Sequence, residues 1–467
     1  MSLDWVLTPA RVSGAAALLA AYAALCLRTG WMARQRRLAF THDSEELAGH
    51  VQGPPVLVVF ASQTGQAEGL ARAAARMLGG SGFRVTLLPV DRLDGAVLRS
   101  HPHSLWMLST TGEGDAPDHA LHFVQKLLAG AQDLSGHRCQ VLALGDREYR
   151  QFCSFGIQVH EWLLAQGAEG DLICVDNMER AALQAWQGRV NELRQAWLGQ
   201  DAEALPAQDE WLLPPASEPF ILKRRTLLNP GSQGGPLYLL EWEPVSGRLP
   251  AWQSGDLASL AVPADPDRPR DYSIASIVED GSLQMLVRLS LRDDGIPGLA
   301  SGWLCEGMAV GDSLALAIRQ HSSFRLGENR ERPLILIGNG SGLAGLLGHL
   351  KARVRAGRGD QWLVFGERNS RHDAFCGEQL AQWLREGWLQ RLDQAWSRDG
   401  DGARYVQDVL LQQQDQLKAW VQRGAAIYVC GSQQGMGQGV DRALRLVLGD
   451  TGVQALVHEG RYRRDVY

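Results

Sequence analysis

Three short runs constrain this chain more than any other feature: Val56–Phe60, Leu105–Leu108 and Gln140–Leu144, each rich in Val, Leu, Met or aromatic residues and each followed at once by a loop of small, hydroxyl-bearing and acidic residues. A continuous apolar run of this length suits a strand buried on both faces, as in a parallel sheet covered by helices on both sides. In such sheets ligands sit at the carboxyl ends of strands, near the point where strand order reverses. The first run leads through Ser62-Gln63-Thr64-Gly65-Gln66-Ala67 into a helical pattern over Gly69–Leu78. Strand, hydroxyl- and glycine-rich loop, then helix is the geometry that aims backbone N–H groups and a helix dipole at a phosphate. The second run ends in Ser109-Thr110-Thr111-Gly112-Glu113-Gly114. The third closes on Leu144-Gly145-Asp146, with Tyr149, Phe152 and Cys153 just beyond. One such loop is an ordinary solvated turn. Three, at the ends of three buried strands of one α/β module, describe a ligand site.

The chain has 467 residues, long enough for roughly three domains, and its 45% hydrophobic and 21% charged content is that of a globular protein. A net charge of −6 argues against a nucleic-acid partner. The 7 cysteines stand at 26, 139, 153, 174, 305, 376 and 430, with no C-x-x-C pair, so neither a metal site nor a disulfide framework is indicated. Val12–Leu27 carries no charge and as a helix would span roughly 24 Å. Arg11 and Arg28 can extend it, Trp5 and Trp31 suit the two interfaces, and Arg28, Arg34, Arg36 and Arg37 follow it. These features predict a single-pass membrane anchor over 1–37 and a tether over 38–54, with everything later on the cytoplasmic side, as for a bacterial inner membrane. A signal peptide and a buried or partner-bound helix are the other readings of this run.

After the first module, 55–198, the polar, proline-bearing stretch 199–215 reads as a linker. Alternating patterns then begin at Phe220 and Leu237 and predict an antiparallel barrel over 216–330. Within it lies Arg270-Asp271-Tyr272-Ser273-Ile274-Ala275-Ser276, read as a strand with Tyr272 and Ile274 on one face and Ser273 and Ala275 on the other. A fixed cation, an aromatic and small hydroxyls suit a flavin shelf. A tight proline-rich turn, Pro263–Pro269, precedes it, and the loop Gly298–Trp303 follows. The last module, 331–467, opens with the buried strand Pro333–Gly338 and the loop Gly338–Ala344. Further strands are read at Trp362–Arg368 and Ala426–Gly431, and Leu392–Arg398 and Arg404–Gln407 lie between them.

In combination these motifs resemble the diflavin reductases of the NADPH–cytochrome P450 reductase and sulfite reductase flavoprotein type. The resemblance implies a multidomain α/β fold: a flavodoxin-like doubly wound FMN domain, then a ferredoxin–NADP⁺ reductase-like pair, an antiparallel FAD barrel and an α/β NADPH domain. Ser62–Ala67 would take the FMN phosphate, Ser109–Gly114 would line one side of the ring, and Leu144, Gly145, Asp146, Tyr149, Phe152 and Cys153 the other, with Tyr149 stacked. FAD would meet Arg270, Asp271, Tyr272, Ser273, Leu286, Val287, Arg288, Gly298, Leu299, Ala300 and Ser301, with Tyr467 as lid. NADPH would meet Gly340, Ser341, Gly342, Ser397, Arg398, Arg404, Tyr405, Gln407, Cys430 and Gly431. Ser273, Cys430, Asp465 and Tyr467 would serve catalysis, with no metal. An aromatic terminus with nothing after it can swing aside, which suits such a lid. Electrons would pass from NADPH to FAD to FMN and on to a one-electron acceptor, a haem protein or other metal centre. Alternatives are a sulfite reductase flavoprotein-like subunit, a membrane-associated ferric-chelate reductase, and a flavin-binding protein without turnover.

The chain departs from the family pattern at Thr111, often aromatic, Ser341, usually threonine, Gly345, often proline, Ala403, often lysine, and Gly439, usually acidic. The family's helical connecting insertion is missing before Arg270. Placement of the two flavin modules then depends on the linker and on direct packing, which predicts an unusually mobile pair.

Overall fold

The computed structural model describes residues 53–63, 65–111, 114–120, 123–147, 151–176, 178–198, 217–292, 294–400 and 402–467. Three sheets organise them. The first is parallel, in the order β2-β1-β3-β4-β5. Its strands are β1 (Pro55–Ala61), β2 (Arg84–Pro89), β3 (His103–Ser109), β4 (Arg138–Gly145) and β5 (Glu169–Asp176). β1, β3 and β4 are the three sequence runs extended by one or two residues at each end. Their side chains fill two cores, one on each face of the sheet, which explains why the runs do not alternate. This is the flavodoxin-like order, and it reverses between β1 and β3.

The second sheet is antiparallel, in the order β10-β7-β6-β11-β8-β9. It comprises β6 (Ser217–Leu227), β7 (Leu237–Pro244), β8 (Leu257–Val262), β9 (Asp265–Ser273), β10 (Leu283–Arg288) and β11 (Ser313–Arg319). A bridge between Ile274 and Met285 joins its two edges, so the sheet closes into a barrel. The strand around Arg270 differs from expectation at both ends. It starts at Asp265, because the turn after β8 is only Pro263-Ala264 and the prolines at 266 and 269 sit in an edge strand, where a missing N–H is tolerated. It ends at Ser273, because Ile274 N bonds back to Asp256 O while Ala275 N donates to Gln284 O, carrying the chain from β8 to β10. The two faces separate as the alternation requires: Tyr272 and Ile274 pack in the barrel core, and Ala275 packs with the core of the third sheet.

The third sheet is parallel, in the order β14-β13-β12-β15-β16, with β12 (Leu334–Asn339), β13 (Gln361–Glu367), β14 (Arg391–Trp396), β15 (Ala426–Gly431) and β16 (Tyr462–Val466). Strand order reverses between β12 and β15. The terminal segment, whose last aromatic the sequence reads as a lid able to swing aside, is its fifth strand.

The membrane placement is corrected. Among the described residues no helix is long and apolar enough to cross a membrane, and Val12–Leu27, with the rest of the expected anchor and tether up to residue 52, lies outside the described residues. The linker 199–215 also lies outside them.

Candidate active site

The reversal between β1 and β3 brings Ser62 and Ser109 to neighbouring strand ends. Ser62 is 4% exposed and Ser109 8%, and among the described residues neither Oγ has a hydrogen-bond partner. Buried hydroxyls are normally bonded. A pair of orphans here, beside the N-terminus of helix Gln66–Gly80, fits a ligand that brings its own acceptor oxygens, and so fits a flavin phosphate and its ribityl chain. Gly65 caps this helix in the left-handed region at φ 83°, and Ala67 is buried in its first turn.

On the β3 side, Thr110 N donates to Leu144 O at 2.8 Å and Thr110 Oγ1 accepts from Phe155 N at 3.3 Å. Thr111 Oγ1 donates to Asp115 O at 3.1 Å and closes a short turn; Gly114, in that turn, packs on Gln151. On the β4 side, Gly145 lies against Cys153, where an added Cβ would come within 2.7 Å of its nitrogen. Cys153 starts helix Ser154–Ala165 and donates to Ala143 O at 3.2 Å. The neighbouring Cys174 and burial push its thiol pKa up, so it stays protonated. Phe152 is half-buried with the Arg147 guanidinium 5.2 Å from its ring centroid, and Asp146 is half-buried beside them. Thr64, Gly112, Glu113 and the expected stacking residue Tyr149 lie outside the described residues.

In the barrel, Arg270 is partly exposed and pairs with Asp265 at 3.3 Å, while Asp271 pairs with Arg319 at 2.7 Å. Burial raises the pKa of the Tyr272 phenol. Ser301 Oγ lies 2.7 Å from Ser290 Oγ, and Gly298 packs against both hydroxyls. Ala300 is buried and Leu299 exposed in the short helix Leu299–Gly302. On β10, Leu286 and Val287 are buried, whereas Arg288 donates to Gly235 O at 2.8 Å and forms an ion pair with Glu367 at the end of β13. Burial raises the Glu367 pKa against the opposing pull of Arg288. Among the described residues no hydrogen bond joins Arg270 to the Ser301 cluster.

The barrel and the third sheet meet at Asp465. Ser273 Oγ donates to Asp465 Oδ2 at 2.9 Å, and Cys430 Sγ donates to the same oxygen at 3.6 Å. Cys430 and Asp465 are register partners on β15 and β16. Burial and the Asp465 charge hold the Cys430 thiol protonated. Gly345 closes this cluster: a Cβ there would stand 3.2 Å from Cys430 Sγ and 3.6 Å from Ser273 Cβ. At the end of β12, Gly340 is left-handed at φ 57° and lies beside Arg288, and a Cβ on Gly342 would collide with the Cys430 carbonyl. Gly431 packs against Asn339 in the same way.

Ser341 Oγ lies 3.0 Å from the Tyr467 hydroxyl. Tyr467 as a whole residue is 56% exposed while burial raises the pKa of its phenol, and its backbone is held at both ends: its N donates to Gly431 O and its O accepts from Gln433 N, each at 3.0 Å. The expected swinging terminus is therefore narrowed to rotation of one side chain.

Ser397 and Arg398 leave β14 with their nitrogens bonded to Glu367 O and Arg368 O, at 2.9 and 2.8 Å. Arg398 is exposed and donates to Gln233 at 2.9 Å. Trp396 N bonds to Ala403 O, folding the next segment back. Arg404 is exposed, with its guanidinium 5.8 Å from the exposed Tyr405 ring. Gln407 Oε1 is buried without a partner, and its amide fills the space left by Gly439. Ser290, Glu367, Asn339 and His321 join these groups without having been singled out from sequence. Glu367, Asn339 and His321 act through partners distant in the chain, and no local pattern marks them.

Residues 58–186 match the flavodoxin family. Over most of its length the chain is similar to proteins named sulfite reductase [NADPH] flavoprotein alpha-component. That of Bacillus subtilis is 24% identical, covering 88% of this chain and 89% of the relative. That of Vibrio cholerae is 25% identical over 93% and 91%, and that of Shewanella sp. strain MR-7 is 26% identical over 88% and 89%.

Proposed function

We propose that this chain is an NADPH-dependent diflavin reductase of short form, delivering electrons singly to an external haem protein or other metal centre. Its parts are an FMN domain over 55–198, a linker over 199–215, and a ferredoxin–NADP⁺ reductase-like pair, the FAD barrel 216–330 and the NADPH domain 331–467. The observation that carries this reading is the convergence of Ser273, Cys430 and Asp465 beneath the loop Gly340–Gly342, with the Tyr467 ring above it. FAD and FMN, when bound, supply the exchange of one two-electron donation for two one-electron deliveries. Ser62, Ser109 and the Gln66 helix end would hold the FMN phosphate side. Arg270 and Ser301 would hold the FAD pyrophosphate. Arg398 and Arg404 present the forked donors that suit a 2′-phosphate, with Ser397 and Tyr405 beside them.

Ser273 and Cys430 both spend their protons on Asp465 Oδ2, so the cluster presents a buried carboxylate whose second oxygen is free of these two donors. It can steady positive charge developing on a nicotinamide, and the Ser273 hydroxyl can exchange a proton at the flavin edge. Two observations support the short form. β8 and β9 are joined by a two-residue turn. In addition, 88% of 467 residues is about 411, so roughly 130 of the 539 positions aligned with the Bacillus relative face a gap in this chain.

The test is flavin content together with turnover. The purified chain is expected to hold FMN and FAD in near-equal amounts and to reduce cytochrome c or ferricyanide with NADPH. FAD alone would overturn the two-flavin reading. The relatives' names favour a second reading, a flavoprotein component of a sulfite reductase, which requires a stable complex with a sirohaem-containing partner.

A further inference from the structure

Gln63 belongs to the loop after β1, yet its bonds reach far along the chain. Its amide Nε2 donates to Arg464 O at 3.0 Å, and its carbonyl accepts from His321 Nε2 at 3.0 Å and from Ser323 Oγ. Ser322 Oγ donates to Glu68, in the first turn of the following helix. A Cβ on Gly65 would come within 2.7 Å of Gln320 O, so the loop lies directly on the main chain of this turn. The turn itself is braced. His321 N donates to Asp256 Oδ1 at 3.1 Å, Arg325 forms a forked pair with Asp256 at 2.6 and 2.7 Å, and Arg463 Nη1 donates to Ser322 O at 3.1 Å and Arg325 O at 2.7 Å.

A second contact stands apart from the first. Arg268, on β9 two residues before Arg270, pairs at 3.5 Å with Asp176 at the end of β5. Asp176 also accepts from Arg147 N at 3.2 Å and so steadies the loop after β4. The barrel module thus touches the phosphate-side loop and the ring-side loop of the first module at separate points.

We propose that the turn Gln320–Ser323 and Arg268 form a docking surface for these two loops, fixing the first module where it receives electrons and supplying the positioning that an inserted connecting domain would otherwise give. The proposal rests on the diflavin reading. The contacts are hydrogen bonds and one partly exposed ion pair, individually weak and screened by salt. A surface of this kind holds the module in register and still releases it to meet an external acceptor.

The test uses the full chain and the variants Ser323→Ala, Arg268→Glu and the double variant. None of these residues lies in the flavin- or nucleotide-binding sets. Anaerobic stopped-flow mixing with NADPH should show the first, FAD-centred phase unchanged. The second, FMN-centred phase should slow by roughly tenfold in the double variant, as small misplacements of reacting groups do. In the unaltered chain that phase should slow with rising salt, and Arg268→Glu should remove much of the salt dependence. Small-angle scattering of the flavin-free chain gives a readout independent of turnover: the double variant should be more extended than the parent. Superimposable scattering curves together with an unchanged second phase would overturn the docking surface. A chain that purifies without FMN defeats the diflavin reading instead, and the scattering comparison still decides whether the docking contacts exist.

Discussion

Replacing Ser62 by alanine should change sign with the state of the protein. The Ser62 hydroxyl is buried with no partner among the described residues, and an unsatisfied buried polar group costs about 1–3 kcal/mol. Removing it from the flavin-free chain relieves that cost, offset by the contacts of one lost oxygen, so the first module should become more stable by about 1 kcal/mol. In the proposed FMN site the same hydroxyl would face a charged acceptor, and a hydrogen bond to a charged group contributes about 1.5–3 kcal/mol. At about 1.4 kcal/mol per tenfold, FMN affinity should fall by roughly 10- to 150-fold. Ser109→Ala should follow the same pattern with a smaller loss of affinity, because its partner would be an uncharged hydroxyl or carbonyl. The assays are urea unfolding of the flavin-free chain and fluorescence titration with FMN. If Ser62→Ala weakens the flavin-free protein and leaves FMN affinity unchanged, the hydroxyl is structural and the phosphate site lies elsewhere.

Three further substitutions probe the second half. Asp465→Asn keeps the shape but removes the charge on which Ser273 and Cys430 converge; NADPH-driven flavin reduction should slow by roughly 10- to 100-fold, with FAD content unchanged, as measured by anaerobic stopped flow. Gly342→Ala drives a methyl into the Cys430 carbonyl, so NADPH affinity should drop while FMN content and the stability of the first module stay as they are. Burial lowers the pKa of His349 to about 3 and of His137 to about 4. Both are neutral in the fold and take up protons in the unfolded chain below the ordinary histidine pKa. Stability should therefore be lost as pH falls from about 6.5 towards those values, each histidine contributing a slope approaching 1.4 kcal/mol per pH unit. Thermal melts of His349→Gln between pH 7 and pH 4.5 should show a shallower decline than the parent, and an unchanged slope would refute this origin.

The sheet strands of the two α/β modules were legible because burial on both faces leaves an unbroken apolar run, which the eye reads without knowing the partner strand. Val56–Phe60, Leu105–Leu108 and Ala426–Gly431 all fall in strands whose sides pack into separate cores. β16 was missed for the converse reason. Tyr462-Arg463-Arg464-Asp465-Val466 is an edge strand, and three of its five residues are charged, so no apolar pattern marks it. The turn before Arg270 is shorter than its prolines suggest, since Pro266 and Pro269 argue against a strand until the strand is known to lie on an edge. In the site, glycines signalled the loops because close main-chain approach forbids a side chain, as Gly342 against the Cys430 carbonyl shows. The partners of those loops were invisible. Glu367 meets Arg288, His321 meets Gln63, and nothing near either residue in the sequence encodes the other.

β16 also explains how so few residues serve several ends. On one strand, the Arg464 carbonyl receives Gln63 from the first module, the Asp465 carboxylate receives Ser273 and Cys430, and Arg463 braces the turn that holds Gln63. Successive side chains of a strand point to opposite faces, so a slip of one residue would exchange every one of these roles. The register is held on one side only, by pairs from Ile427–Tyr462 to Gly431–Val466. It is locked at its far end by the backbone bonds of Tyr467 to Gly431 and Gln433. Those terminal bonds keep Asp465 opposite Cys430 and the Arg464 carbonyl opposite Gln63 at the same time. The order that places the Tyr467 hydroxyl beside Ser341 is therefore also the order that seats the first module.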